Sequence, residues 1–424
     1  MTDLSLISVD DHVIEPPGVW WDRLPARVRE RGPRVIRDNG IDVWIYEDVR
    51  MPITALLVQA GKKREEVRPG FVNYEDMRPG VYNSVERAKD MDTDGVIASA
   101  CFPFFPRYCG QTFYEAADRE LALLCIRAYN DWMIEEWSGS SPGRFIPMII
   151  MPLWDPALAA AEIERAAGLG AKAISFSENP AKLGLPSLHD AAGYWDPALS
   201  AANETGMPFC IHFGSSSMVP NTSDDAPMFV SAALSPLNLA YALTDWLFSG
   251  KFERYPRLKV CLSEGGIGWI PYMIDRSEQV LETMMWARRF DVAAAVGGGS
   301  SSLAGDQSGR HLADTLSSGQ SGGVVEYGEW QDRPDPRELF RNHVFGCFID
   351  DRFGARHLEE IGWDNVMMET DYPHGDGTFP DSLKRAEQLL GPYTPEQRYK
   401  VMEGNARRVF GLDDAGLGVR RVRR

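Results

Sequence analysis

Eight runs of this chain are apolar nearly from end to end. In order they are Leu4–Asp10, Gly95–Cys101, Phe145–Met151, Lys172–Ser177, Phe209–Phe213, Leu258–Ser263, Val344–Ile349 and Val366–Thr370. A strand apolar on both faces must be covered on both, which is the condition of a parallel sheet. Helical patterns separate most of the runs: Ser84–Met91, Gln111–Trp137, Ala157–Ala167, Trp195–Glu204, Ser231–Leu247, Trp269–Trp286, Arg352–Ile361 and Asp381–Leu389, with Pro395–Phe410 closing the chain. Strands alternating with helices in this way predict an α/β fold, a (β/α)₈ TIM barrel. The rival is a doubly wound open sheet, which usually offers a Gly-rich phosphate turn after its first strand; VDDHVIEPP is not one.

Residues 1–412 are therefore expected to form a single barrel domain, with 413–424 as a tail. Two segments exceed a minimal barrel. Residues 17–83 contain a hairpin signal, Val35–Arg37, Asp38-Asn39-Gly40, Ile41–Tyr46, and are expected to make a small excursion over the barrel mouth. Residues 293–323 are Gly/Ser-rich and are expected to be a flexible loop or a lid.

Composition narrows the partners. With 44 basic and 61 acidic residues the net charge is 44 − 61 = −17, which repels nucleic acid and anionic lipid. No stretch approaches the ~18 apolar residues of a membrane span. The six cysteines form no CxxC pair, and MTDLSLISVDD carries acids where a signal peptide needs a basic and an apolar segment. A reducing cytoplasm is the expectation.

In a barrel, residues at the carboxyl ends of the strands face the active site. Asp10, Asp11, His12 and Glu15 follow the first run, Ser177 and Glu178 the fourth, His212 the fifth, Ser263-Glu264-Gly265-Gly266 the sixth, and Asp371-Tyr372-Pro373-His374 the eighth. Of only seven histidines, two stand at strand ends and a third just beyond one. Asp10 and His12 are two apart on one strand and project to the same side. Asp10, His12, His212 and Asp371 can thus converge on one divalent cation, with zinc, manganese and iron the candidates.

D-x-H on the first strand, I-H on the fifth, S-E-G-G on the sixth and T-D-Y-P-H on the eighth resemble the amidohydrolase superfamily, and more narrowly its branch around aminocarboxymuconate-semialdehyde decarboxylase. Met91–Val96 and Glu403–Leu412 are similar to that branch as well. The resemblance implies a barrel with one divalent metal, zinc being the first expectation and manganese the second, and a homodimer. It carries the metal-ligand role onto Asp10, His12, His212 and Asp371, and gives Asp371 a part in moving a proton. Two departures matter: many family members lead the first-strand pair with histidine or glutamate where this chain has Asp10, which can still bind as an oxygen ligand, and, the larger one, where the family commonly has histidine before Gly-Gly this chain has Glu264.

A glutamate there repels a substrate carboxylate, by ~4 kcal/mol at 4 Å for an effective dielectric near 20. Glu15, Glu178 and Glu264 make the expected mouth acid-rich. This favours hydrolysis of a small, cyclic or aromatic organic molecule by a metal-activated water, with Asp371 or Glu264 taking the proton and His212 beside the ion. The alternative is metal-dependent non-oxidative decarboxylation of an aromatic or unsaturated acid, which needs a cation for the leaving carboxylate; Arg276 and Arg107 are the candidates. Glu178, Phe104, His374 and Arg276 are the expected substrate-binding residues. A third reading is a barrel that binds metal or ligand without turnover.

Overall fold

The computed structural model describes residues 5–284 and 335–412. The Gly/Ser-rich segment 293–323 and the tail 413–424 lie outside the described residues. Eight parallel strands form the barrel: β1 (Leu6–Val13), β2 (Val96–Pro103), β3 in two pieces (Phe145–Ile146 and Met148–Ile149), β4 (Ala173–Ser177), β5 (Phe209–His212), β6 (Val260–Ser263), β7 (Val344–Phe348) and β8 (Val366–Met368). Pro147 divides β3 because it has no N–H to give; its carbonyl still accepts from Lys172 N–H at 2.9 Å, keeping β3 joined to β4.

Each strand pairs with the next in chain order from β1 to β8. The ring closes just beyond β8. Asp371 N–H donates to the Asp10 carbonyl (3.0 Å), and His12 N–H to the Tyr372 carbonyl (2.6 Å). Closure removes the sheet edges and sets the first strand beside the last.

Inside the ring, Ile7, Val9, Ala98, Ala100, Phe102, Ile146, Met148, Ala173, Cys210, Cys261, Phe345, Cys347 and Met367 make one buried cluster. Ala406, Val409 and Phe410 of the last helix join it, so that helix plugs the amino-terminal end of the barrel. Lys259 Nζ reaches the Val409 carbonyl (3.5 Å) and Lys172 Nζ the Gly411 carbonyl (3.4 Å), consistent with cations favoured at a helix C-terminus. A larger core lies between strands and outer helices, with Trp20, Trp137, Trp195 and Trp246 among its buried members. All six cysteines are buried and unpaired.

The excursion is as expected in place and in its hairpin. Arg34–Asp38, Ile41–Tyr46 and Val49–Pro52 form an antiparallel sheet. Asn39 (φ 50°) and Gly40 (φ 83°) turn the first hairpin, the left-handed conformation that Asn and Gly tolerate best. Trp44 stacks on Phe105 with centroids 5.0 Å apart, and Tyr46 meets Phe113. Gln59 N–H donates to the Pro373 carbonyl at 2.7 Å, seating the excursion against the loop that follows β8.

Two expected helices are each two. Residues 111–137 break between Gln111–Glu115 and Arg119–Trp132. The carboxylate of Glu47 accepts from Ala117 and Asp118 N–H, and Asp118 caps the second piece through Leu121 N–H. Residues 231–247 break at Ser235-Pro236 between Met228–Leu234 and Leu237–Phe248. A proline cannot continue the hydrogen-bond ladder behind it. The helix Pro336–His343, capped by Asp335, was not expected.

Candidate metal centre

β1 does not keep a simple alternation. Ser8 pairs with Ser99 and Asp11 with Cys101, so three steps on β1 match two on β2. This bulge lets Ile7 and Val9 face the lower core while Asp10 and His12 also face inward above it. Asp11 is turned to the other face. It accepts from Ser8 Oγ (3.0 Å), Thr370 Oγ1 (2.6 Å), Tyr372 N–H (3.0 Å) and the Ser99 hydroxyl, with Arg87 at 3.9 Å. Asp11 thereby locks β1 to β2 and to the loop after β8.

At the carboxyl ends of the strands, polar atoms from four elements meet. His12 Nε2 lies 3.0 Å from Asp371 Oδ1, 3.6 Å from Asp10 Oδ1 and 4.0 Å from Glu264 Oε2. His212 Nε2 lies 2.6 Å from Glu264 Oε2 and 3.7 Å from Asp10 Oδ2. Neighbouring donors bound at about 2.1 Å to one ion stand roughly 3.0 Å apart in an octahedron and 3.4 Å in a tetrahedron; the contacts of 3.0 to 3.7 Å lie close to that range, and the 2.6 Å contact between His212 and Glu264 is shorter.

Hydrogen bonding gives the same answer. Both carboxylate oxygens of Asp10, Nε2 of His212 and Oε2 of Glu264 are buried without a hydrogen-bond partner, and the buried carboxyl of Asp371 faces His12, His374 and Asp376. Unpaired buried carboxylates are costly unless protonated or joined by a cation. Burial, then Glu369 and Glu264, pushes the Asp10 carboxyl well above its ordinary range; burial, then Glu264 and Asp376, does the same to Asp371. Burial and the neighbouring His374 and His212 hold the His12 imidazole well below its usual value, leaving it neutral. His212 Nδ1 sits 2.6 Å from the Phe213 carbonyl, which can only accept. The ring proton is therefore on Nδ1 and the Nε2 lone pair faces the cluster. Imidazole nitrogens beside buried carboxylates are donors of the kind that hold a divalent metal ion.

A protein-family model for amidohydrolases matches residues 41–412. This chain belongs to the amidohydrolase family. It is 30% identical over 171 residues to a gamma-resorcylate decarboxylase of Polaromonas sp. (strain JS666 / ATCC BAA-500), a stretch spanning 38% of this chain and 50% of that enzyme. It is 29% identical over 307 residues to a gamma-resorcylate decarboxylase of Rhizobium sp. (strain MTP-10005), 70% of this chain and 79% of that one. Among solved structures, an amidohydrolase from Mycobacterium avium subsp. paratuberculosis K-10 superposes with a TM-score of 0.67 at 19% identity, over 98% of this chain and 100% of that one. A dihydroxybenzoic acid decarboxylase from Polaromonas sp. JS666, with bound manganese and the inhibitor 2-nitroresorcinol, superposes at 0.55 and 16% identity over 98% and 100%.

The amidohydrolase fold brings Asp10, His12, His212, Glu264, Asp371 and His374 together and leaves other expected residues elsewhere. His374 stacks on His12 (centroids 3.8 Å) and its Nδ1 is 2.8 Å from Asp371 Oδ1. Glu178 is corrected: its carboxylate is consumed by the loop after β5, accepting from Gly214 N–H (3.1 Å), Ser216 Oγ (2.6 Å), Asn238 Nδ2 (3.1 Å) and the Ser215 hydroxyl. Glu15 likewise accepts from Phe104 and Phe105 N–H, and burial pushes it up to about 7. Phe104 is half-buried; rings beside His212 include Phe213 at 5.0 Å, Phe102 edge-on at 5.1 Å and Tyr108 stacked at 4.1 Å. Arg276 is exposed on the helix Ile270–Met284 and bonds Gln279, so within the chain it does not reach the centre. Arg107, in the loop after β2, is held by Glu115 and the Ser217 hydroxyl.

Sequence reasoning missed Tyr108, which no motif marks, and Glu369. Glu369 is buried and accepts the N–H of Glu264 at 3.0 Å. Its signal was parity, since it stands two residues before Asp371 on the same run.

Proposed function

We propose that this amidohydrolase is a metal-dependent, non-oxidative decarboxylase of a hydroxylated aromatic acid. What supports it is His12, shared between two clusters of potential ligands, Asp10 and His212 in one and Glu264, Asp371 and His374 in the other, in a chain whose curated relatives include gamma-resorcylate decarboxylases. The acid-rich mouth that favoured hydrolysis is smaller than the sequence suggests, because Glu15 and Glu178 are tied to backbone and hydroxyl donors.

Asp10, His12, His212 and Asp371 would hold the ion, which when bound supplies Lewis acidity toward substrate oxygens. Tyr108, partly exposed and stacked on His212, offers an aromatic surface beside the cluster. Asp371, in its protonated form, delivers a proton to the ring carbon bearing the carboxylate. The bond from that carbon to the carboxylate then breaks, its electron pair restores the aromatic ring, and CO₂ leaves. Ring hydroxyls make that carbon electron-rich and so ease its protonation. His374, with Nδ1 2.8 Å from Asp371, returns a proton from solvent.

Metal-loaded protein given a panel of hydroxybenzoates, 2,6-dihydroxybenzoate included, is expected to release CO₂ and the matching phenol in equal amounts. Asp371→Asn should slow this by about 10²–10⁴-fold. No CO₂ from any acid, with turnover of esters, amides or lactones instead, would overturn the reading in favour of hydrolysis.

A further inference from the structure

Glu264 stands where the family resemblance leads one to expect histidine, and its surroundings define what it can do there. Its carboxylate Oε2 is buried without a hydrogen bond and lies 2.6 Å from His212 Nε2 and 4.0 Å from His12 Nε2. The His212 proton is committed to the Phe213 carbonyl through Nδ1, so the 2.6 Å contact sets a nitrogen lone pair against a carboxylate oxygen. Two such acceptors approach this closely only with a proton between them or a cation bound to both. The backbone is built to hold the side chain there. Glu264 takes φ 58°, a left-handed conformation that is strained for a residue with a Cβ. Its N–H is gripped by the buried carboxyl of Glu369, and the turn behind it is held by Asp351, which accepts from Ile267 N–H (2.8 Å) and Gly268 N–H (2.7 Å).

We infer that Glu264 is a fifth protein ligand of the metal, completing a set of two imidazoles and three carboxylates. This rests on the metal centre of the proposed function and deepens it. Five protein donors exceed the four of a tetrahedral zinc site. They suit a six-coordinate cation that accepts oxygen readily, of the Mn²⁺ class, with about one position left for solvent or substrate. A carboxylate so engaged neither repels a substrate carboxylate as a free anion would nor serves as a base, which leaves proton movement to Asp371 and His374.

The test is Mn²⁺ binding to chelator-stripped protein, read from the electron paramagnetic resonance signal of the free ion, with solvent proton relaxation reporting water on the bound ion. Wild type is expected to bind about one Mn²⁺ per chain. Glu264→Gln should raise the Kd at least tenfold, and Glu264→Ala should increase the relaxation enhancement as water enters the vacated position. Circular dichroism and thermal melting establish that both variants are folded; should Glu264→Ala not fold, Glu264→Gln decides alone. Wild-type affinity in Glu264→Gln, or unchanged relaxation in Glu264→Ala, would overturn the inference while leaving the four-ligand centre standing. Full Mn²⁺ binding by both His212→Ala and Asp371→Asn would overturn the centre itself, and this inference with it.

Discussion

Glu264 and Asp371 adopt the left-handed conformation, with φ 58° and 53°, at about 1–2 kcal/mol each. The cost falls on two residues whose side chains meet at the centre, and the closed ring and the turn around them hold the backbone. Glu178 shows the opposite use of a buried acid. Its oxygens satisfy donors from Gly214, Ser215, Ser216 and Asn238, and the sequence showed only an acid at a strand end. In Glu178→Gln an amide NH₂ faces groups that donate, so a loss of about 1–3 kcal/mol is expected in urea unfolding. Metal stoichiometry should be unchanged; loss of the ion in a folded variant would place Glu178 at the centre after all. At this scale Asp10, His12, His212 and Asp371 were legible because strand ends can be read from apolar runs. Tyr108 was not, since its position over His212 depends on a loop whose path no periodicity encodes.

The elements that aim the centre are a bulge and a turn. The bulge in β1 lets four residues of one strand face inward within six positions, Ile7, Val9, Asp10 and His12. Strict alternation correctly relates Asp10 to His12 but sets that pair opposite Val9. The pairing with β2 resolves the conflict by adding a residue. The turn after β6 is fixed from outside itself, by Asp351 after β7 and Glu369 after β8. Asp351 also accepts from Gly354 N–H at 2.7 Å. Asp351→Asn replaces one acceptor with a donor against these N–H groups. It should cost about 1–3 kcal/mol and weaken Mn²⁺ binding with Glu264 untouched. Unaltered metal affinity would show that the turn keeps its shape without Asp351. The broken helix at 116–118 has the same origin, since Glu47, far off in sequence, caps the break.

For the whole molecule, the centre trades stability against function. Buried, unpaired carboxylates burden the metal-free protein, so chelation should lower the melting temperature. Metal at a thousandfold excess over its Kd should restore about 4 kcal/mol. Metal-free Asp371→Asn, with one acid fewer in the cluster, should melt above metal-free wild type although it is inactive. The reverse order would mean that the acids are not mutually repelling. A second effect of pH acts away from the centre. Asp94, at the end of the helix Ser84–Asp94, accepts from Ser382 N–H and Oγ, and burial pushes it up to about 6. Its native pKa lies above the ordinary 3.8. The unfolded chain therefore releases this proton first, and the native state loses stability as pH rises from about 4 to 6. Asn can keep both contacts by donating to Ser382 Oγ while that hydroxyl turns to Thr378. Asp94→Asn should thus gain about 2 kcal/mol on wild type between about pH 4.5 and pH 7.5. A pH-independent difference would refute the assignment.

The order of the eight strands, the closed parallel barrel and the strand-end positions of Asp10, His12, His212 and Asp371 were determined by the sequence alone, because burial on both faces writes itself as continuous apolar runs and barrel sites collect at strand ends. Only the tertiary structure decided which acids are free. Glu15, Asp11, Glu178 and Glu264 look alike as letters, and all but the last are satisfied by donors from segments remote in sequence. A carboxylate's availability depends on the hydrogen bonds that reach it, and those are set by the packing of the whole ring.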